Sequence, residues 1–538
     1  MPQTWDEEFD VVVVGSGGAG LTAAILAHDH GANVAVVERS DKVGGTTAVS
    51  GGALWIPLND TMSAGGRADS RDEALVYCRR MAAGQTDDGL IETFVDSGHQ
   101  MVRYLEERTP VKFAPWAIPD YHMELDGARP GGRSIEPELY HRSELGEWNG
   151  ALRDSPLRIP FSLQETIFQY EAHIKPQKLP VDEFVERSKQ GVLGGGGALI
   201  GRLLKGCLDR GITIMLTTRA RGLARERTRV IGLHAEKNGK DARLAANRGV
   251  VLASGGFEWN EQLKRQFLPG PITHQNSPPS NEGDGLIMAA EAGAALGNMT
   301  EVWGSPSAAV PGEEYDGKQL SRLVVPERMC PHTILVNRAG RRFANEGASY
   351  NDLGKVFNDF DPVRYEHRNL PCWSIFDRQY RERYPVLTVF AGTPDPDWLM
   401  RADSLDALAE KAGIEADGLA ATVERWNNSV LQGEDAEFGR HRFPIDLEAP
   451  HPSMGSIEQP PFYALPVHPG TLGTKGGPVT NAEGQVIDVR GSIIPGLFAA
   501  GNVMAGVSGP GYFGGGATIG LAMTWGYLCG INAAKTAH

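Results

Sequence analysis

The sequence predicts an α/β fold, and three observations predict it. Residues 10–20 read as a buried parallel strand running into a glycine-rich turn, residues 21–30 have helical spacing, and residues 33–38 supply a second strand. That succession is the opening unit of a Rossmann-like, parallel-sheet domain. The chain has 538 residues, beyond the usual size of one domain, so two or three units are expected. Its 67 glycines and 34 prolines suit an α/β chain rich in loops, and 41% hydrophobic residues are enough for a large core.

The first unit carries its own chemistry. Gly15 permits the tight turn, Gly17 lets the backbone approach a pyrophosphate, and Gly20 lets the helix pack closely on the sheet. The free N–H groups of the helix N-terminus face the anion. Glu38, at the end of the second strand, is placed to accept hydrogen bonds from a ribose hydroxyl pair. Residues 85–190 are rich in Pro, Tyr and charge and show little periodicity; they read as an elaboration that roofs a pocket. The run 193–197 has no apolar strand before it, so it reads as the start of a helix over 198–210 and not as a second nucleotide site. Residues 333–337 are strand-like, and 405–432 read as a helical run.

Charge and cysteine usage narrow the function. A net charge of −15 argues against nucleic acid or an anionic membrane as partner. Cys78, Cys207, Cys330, Cys372 and Cys529 are scattered, with no CxxC, which disfavours an iron–sulfur cluster, covalent haem, structural zinc or a disulfide framework. Five reduced, buried thiols and no metal are expected. No basic-then-apolar leader precedes the first strand, and no apolar stretch is long enough to span a bilayer. A cytoplasmic protein with at most peripheral membrane contact is expected.

The turn alone does not separate FAD from NAD, but several segments resemble flavoproteins of the fumarate reductase and succinate dehydrogenase superfamily. Residues 38–52 resemble the segment those proteins lay along FAD, 250–256 their second cofactor-side strand, and 495–502 the late strand meeting the ribityl chain and pyrophosphate. The resemblance implies FAD contacts from Gly15, Ser16, Gly17, Gly20, Glu38, Arg39 and Ser40. It extends them to Gly45, Thr46, Thr47, Ser50, Gly51 and Gly52, then to Ala253, Ser254, Gly255 and Asp284. Asn345, Gly501, Asn502, Ala517, Thr518 and Ile519 complete the set. It also implies the architecture: a discontinuous Rossmann-like FAD-binding domain over 1–308 and 470–538, with a smaller α+β catalytic cap inserted over 309–469. Tethered members carry a histidine before the glycine pair of the early loop; Val43 stands there, so FAD is expected to be non-covalent.

The anion-binding groups of fumarate reductases are missing. The catalytic arginine that follows Arg-Phe-x-Asn-Glu by four residues is Tyr350 here, the carboxylate-clamping arginine before the last glycine run is Tyr512, and a substrate-contacting histidine is Gly473. A buried carboxylate without such partners costs several kcal/mol, so a dicarboxylate substrate is not expected.

The substituted pattern resembles 3-ketosteroid Δ1-dehydrogenases, in residues 472–477, 496–502 and 512–520, in Asn345-Glu346 with Tyr350, and in Pro119-Asp120-Tyr121 upstream of 132–137. Phe513 and Gly515 depart from the small residue and proline most common there. The resemblance implies desaturation between C1 and C2 of a neutral steroid ketone. Tyr512 O–H and Gly516 N–H would hold the developing enolate oxygen, Tyr350 would take the C2 proton, Tyr121 would hydrogen-bond Tyr350, and the C1 hydride would pass to flavin N5. A basic Tyr350 calls for neighbours that depress its pKa or for alkaline pH. A separate electron acceptor is implied. Another flavin desaturase or ene-reductase, such as a Δ4-dehydrogenase, and a non-redox hydratase or isomerase with structural FAD remain open. His122 and His468 read as surface or core histidines, and Lys475 as a support for backbone.

Overall fold

The computed structural model describes residues 4–157, 159–442 and 453–536. From the N-terminus the elements that position the site are β1 (Glu7–Val14), α1 (Gly18–Asp29), β2 (Val34–Val37), α2 (Gly195–Leu208), β3 (Thr213–Met215) and β4 (Lys240–Leu252). They are followed by β5 (Val302–Ala308), β6 (Thr333–Asn337), α3 (Tyr350–Val356), β7 (Cys372–Asp377), β8 (Phe462–Thr474), β9 (Ile493–Ala499) and α4 (Ala517–Lys535).

The first sheet has eight strands, with β9, β4, β1, β2 and β3 as parallel neighbours in that order. Residues 11–14 of β1 and all of β2 are apolar and buried, as a parallel strand covered on both faces demands. Helices α1 and α4 cover one face and approach closely. A Cβ at Gly526 or Gly530 would lie 2.4 Å from the Ala19 or Ala23 carbonyl oxygen. The C-terminal helix is thereby packed on the N-terminal one, and the last segment of the chain joins the first sheet.

The second sheet has seven strands, with β5, β8, β7 and β6 as antiparallel neighbours. Its members β5 and β8 reach past both ends of the 309–469 stretch. Helices Leu405–Ala412 and Ala416–Gln432 pack against it around Trp426. The single helical run expected over 405–432 is therefore broken: Gly413 adopts φ +72° and ends the first helix in a left-handed cap.

The segment 85–190 also differs from expectation, because it contains a 21-residue helix, Asp88–Arg108, capped by Asp87. Ile91, Phe94, Val95, Gly98, Met101, Val102 and Leu105 form its buried stripe. That is the 3.6-residue period of an amphipathic helix, masked by the irregular loop that follows. The five cysteines are free and buried. Among the described residues no helix is long and apolar enough to cross a membrane, and no cluster of His, Cys, Asp or Glu is placed to hold a metal.

Candidate active site

A cleft of about 600 Å³ runs from the β1–α1 turn to the seam between the two sheets. Its first end is built from backbone. Gly15 sits at φ +105°, and a Cβ there would lie 2.4 Å from the Ala253 carbonyl oxygen. By contrast, a Cβ at Gly17 or Gly45 would meet no protein atom closer than 3.8 Å, though both residues line the cleft. Gly45 is favoured by its own left-handed φ of +49°, but neither packing nor φ requires glycine at Gly17, where a ligand lying against the backbone would. The N-cap Gly17 offers no side chain to α1; the Gly18 amide donates to Thr47 Oγ1 at 3.2 Å, and the positive end of the helix faces the cleft, as a phosphate requires. Ser254 Oγ lines the same wall, buried and without a protein partner. Glu38 takes hydrogen bonds from Ser16 N (3.1 Å), Ser16 Oγ (2.6 Å) and Ser40 N (2.9 Å), which fix its carboxylate at the end of β2 with lone pairs left for a ribose. These residues fit FAD.

Most of the residues expected to bind the cofactor line this cleft, and four do not. Gly20 faces Gly15, where a Cβ would lie 2.0 Å from the carbonyl oxygen, so its role is helix–turn packing. Ser40 orients Glu38 through its amide and accepts from Arg153 Nη2. Ala517 is the buried first residue of α4. Asn345 accepts from the Gly347 amide and shapes a turn, away from the cleft. Asp284 lines the cleft but is ion-paired with Arg219 at 2.6 Å, and Arg39 with Glu282 at 2.9 Å.

The other end is built from side chains. Tyr121, Tyr350 and Tyr512 converge, with ring centroids 5.7 Å (Tyr121–Tyr350), 5.3 Å (Tyr121–Tyr512) and 5.4 Å (Tyr350–Tyr512) apart. Tyr121 donates to the Tyr350 hydroxyl at 3.3 Å. Gly516 forms the N-cap of α4 at φ +97°, where a Cβ would strike the Ala53 backbone at 2.6 Å. Its amide lies beside the Tyr512 hydroxyl, within hydrogen-bond reach of it, as do the Thr518 and Tyr350 hydroxyls. Burial, then the Tyr121 and Tyr512 phenols beside it, holds the Tyr350 phenol well above its ordinary value. Burial raises Tyr512 as well. The expected depression of Tyr350 by its neighbours is not what this site does: no cation contacts it, and an apolar setting favours the neutral phenol.

Each tyrosine has its own support. Beside Tyr121, Asp120 accepts from Trp55 Nε1 (2.7 Å) and Arg133 Nη1 (2.6 Å), and Tyr121 N donates to Phe513 O (3.2 Å). Burial outweighs Arg133 and pushes Asp120 up to about 6. Tyr350 begins α3, on a loop anchored by a buried network in which Arg342 grips Glu346 through two hydrogen bonds of 2.8 Å and also pairs with Asp435. Lys475 Nζ donates to the carbonyls of Gly509 (3.2 Å), Pro510 (3.3 Å) and Gly511 (2.7 Å), the strand of backbone leading into Tyr512. Burial pushes Lys475 well below its usual value. His468 stacks on His274 at 4.1 Å, away from the tyrosines.

Three substitutions noted in the sequence have structural counterparts. Gly473 occupies a spot where a Cβ would lie 2.4 Å from Asn502 Nδ2, so a histidine there requires the Asn502 side chain to move. At Gly515 a Cβ would meet Ile118 at 2.4 Å and Trp116 at 2.7 Å, so the proline position is taken up by the Trp116 indole, which lines the cleft. Phe513 fills an aromatic cluster with Trp55 (5.1 Å) and Phe94 (6.1 Å). Trp116 and the His122–Asp352 contact (2.7 Å) across the seam are features that sequence reasoning missed. The charge at Asp352, two residues after Tyr350, was the available signal.

The family model for the FAD binding domain matches residues 10–519. The chain belongs to this family. It is an FAD-dependent oxidoreductase and is similar to several dehydrogenases. It is 40% identical to a 4-oxocyclohexanecarboxylate 2-dehydrogenase of Sinomonas cyclohexanicum, over 98% of this chain and 93% of that one. It is 35% identical to a 3-oxosteroid 1-dehydrogenase of Mycobacterium tuberculosis, over 99% of each. The crystal structure of 3-ketosteroid Δ1-dehydrogenase from Sterolibacterium denitrificans, in complex with 1,4-androstadiene-3,17-dione, superposes with a TM-score of 0.89 at 34% identity, covering 99% of this chain and 100% of that one.

Proposed function

We propose that this flavoenzyme desaturates the bond α,β to a ring ketone, with 3-oxosteroids as substrates and C1–C2 as the bond oxidised. The observation that carries the reading is the meeting of three tyrosine hydroxyls and the Gly516 amide beside the FAD cradle. Tyr512 O–H and Gly516 N–H hold the carbonyl oxygen and stabilise charge developing on it; one such donor is worth about 2.7–4 kcal/mol. Tyr350, as a phenolate supported by the hydrogen bond that Tyr121 donates, takes the proton from the carbon next to the carbonyl and becomes the neutral phenol. Bound FAD supplies the hydride acceptor. The cofactor is held without a covalent bond, and a separate acceptor removes the electrons. A cytoplasmic setting accords with five free, buried thiols.

A neutral substrate suits the charges in the cleft. Of the cations that line it, Arg39 and Arg322 are paired with Glu282 (2.9 Å) and Glu313 (2.8 Å), and Lys318 is exposed to solvent. A second reading, a monocyclic ketone bearing a carboxylate, draws on the 40% identity to the 4-oxocyclohexanecarboxylate enzyme. Both readings use the same tyrosines. Anaerobic mixing with androst-4-ene-3,17-dione and, separately, with 4-oxocyclohexanecarboxylate decides between them. Bleaching of the flavin band with formation of the 1,4-diene supports the steroid reading. Bleaching by the carboxylate alone replaces it with the second. No bleaching by either overturns both.

A further inference from the structure

His122 lies directly after Tyr121, and Asp352 two residues after Tyr350, yet they belong to segments on opposite sides of the seam. His122 Nε2 meets Asp352 Oδ2 at 2.7 Å, and His122 Nδ1 meets Glu124 Oε1 at 2.6 Å. With a carboxylate on each nitrogen, the ring carries both protons and a positive charge. The same residue is held from below: His122 N donates to the Tyr77 hydroxyl at 3.2 Å, and Tyr77 donates to Phe513 O at 2.7 Å, next to Tyr512. On the other side, Asp352 is on α3, whose Asn351 and Lys355 side chains both donate to Pro510 O, at 3.3 Å and 2.6 Å, just before Tyr512. The contacts around this one imidazolium thus join the three segments that carry the tyrosines.

We propose that the His122–Asp352 ion pair is a positioning latch, holding Tyr121 against Tyr350 across the seam. The inference rests on the reading of Tyr350 as the base, and His122 touches neither substrate nor cofactor in it. The groups facing the imidazole are Asp352 and Glu124, with the Tyr77 hydroxyl under its backbone and Lys355 and Asn351 flanking Asp352. The hydrogen bond to Asp352, then that to Glu124, pushes His122 up to about 9 against the opposing effect of burial. Burial works upward on Asp352, but the His122 hydrogen bond leaves it below its ordinary value. The latch is therefore closed through the neutral range and opens as pH rises through the His122 value. Deprotonation of Tyr350 works in the opposite direction, because it favours the reaction as pH rises.

The test is the pH profile of flavin reduction, using whichever ring ketone the wild type oxidises. Near neutral pH, His122→Gln and Asp352→Asn are expected to slow reduction about tenfold with the half-saturating ketone concentration within about twofold, since alignment and not binding is lost. The wild-type rate is expected to climb with pH and level off near the His122 value, while the His122→Gln rate keeps climbing, so that the two converge. A ratio constant over the whole range, or a His122→Gln rate equal to wild type, overturns the latch. Retained activity in Tyr350→Phe overturns the base assignment instead. If His122→Gln does not retain flavin, Glu124→Gln serves: losing one carboxylate should move the bend to lower pH, and an unmoved bend overturns the proposal.

Discussion

At the β1–α1 end, the cleft is walled by main chain: Gly15, Gly17 and the first turn of α1, backed by a buried parallel sheet. At the seam it is walled by three phenol rings on segments separated by up to 391 positions, two of them packed into the first sheet's core and one carried by α3. The first region has almost no side chains whose removal changes chemistry. The second has almost nothing else. Backbone cradles tolerate no added volume, whereas side-chain sites tolerate volume but not the loss of a hydroxyl, and this difference predicts how each fails.

The largest effect is expected at the backbone end. Gly20→Val brings a branched side chain to where even a Cβ would lie 2.0 Å from Gly15 O, so α1 must move off the turn. The variant should purify without flavin, or not fold at all; wild-type flavin content measured by absorbance would break the comparison. Next comes Tyr350→Phe, which should keep FAD and lose about 10²–10⁴ in the rate of flavin reduction by ketone, the usual range for a general base. The wild-type rate should also rise on the alkaline side, because burial holds Tyr350 above its ordinary value. A profile flat from neutral pH upward speaks against a phenolate base. Tyr512→Phe should lose about 10²–10³, since the Gly516 amide remains as one donor. A loss confined to ketone binding with full rate at saturation would make Tyr512 a binding group only.

The smallest effect concerns stability. His122 has a folded-state value raised to about 9, above the ~6.5 of an unfolded chain, so its contribution is complete below ~6.5 and lost as pH rises through about 9. Asp352 is lowered, so its contribution disappears only in acid. The difference in unfolding temperature between wild type and His122→Gln should thus be greatest on the mildly acidic side and vanish above about pH 9. A difference that grows with pH has the wrong sign for an ion pair.

How much was legible follows the same division. The opening βαβ unit, the role of Gly15 and Gly17 and the position of Glu38 are local in sequence, and residues within 30 positions of one another define them. The tyrosines were legible only because motifs of a resembled family mark their offsets. The helix Asp88–Arg108 had a clear periodic stripe that the irregular sequence around it concealed. The break at Gly413 follows from a left-handed residue that a hydrophobic pattern does not reveal. Asn345 was misplaced because a motif fixes residue order, while the turn that Asn345 closes points its side chain at Gly347.

By itself, the sequence determined the strand–turn–helix that cradles FAD, the absence of arginine at Tyr350 and Tyr512, and the excess of acidic charge. These are properties of short segments, where steric freedom and side-chain type are decided residue by residue. The tertiary structure alone decided that Tyr121 meets Tyr350, that Trp116 occupies the space beside Gly515, and that His122 reaches Asp352. Those contacts span the seam between two sheets, and the shift of Tyr350 away from its ordinary value comes from the burial they create. Neither the contact nor the burial exists until both sheets have packed.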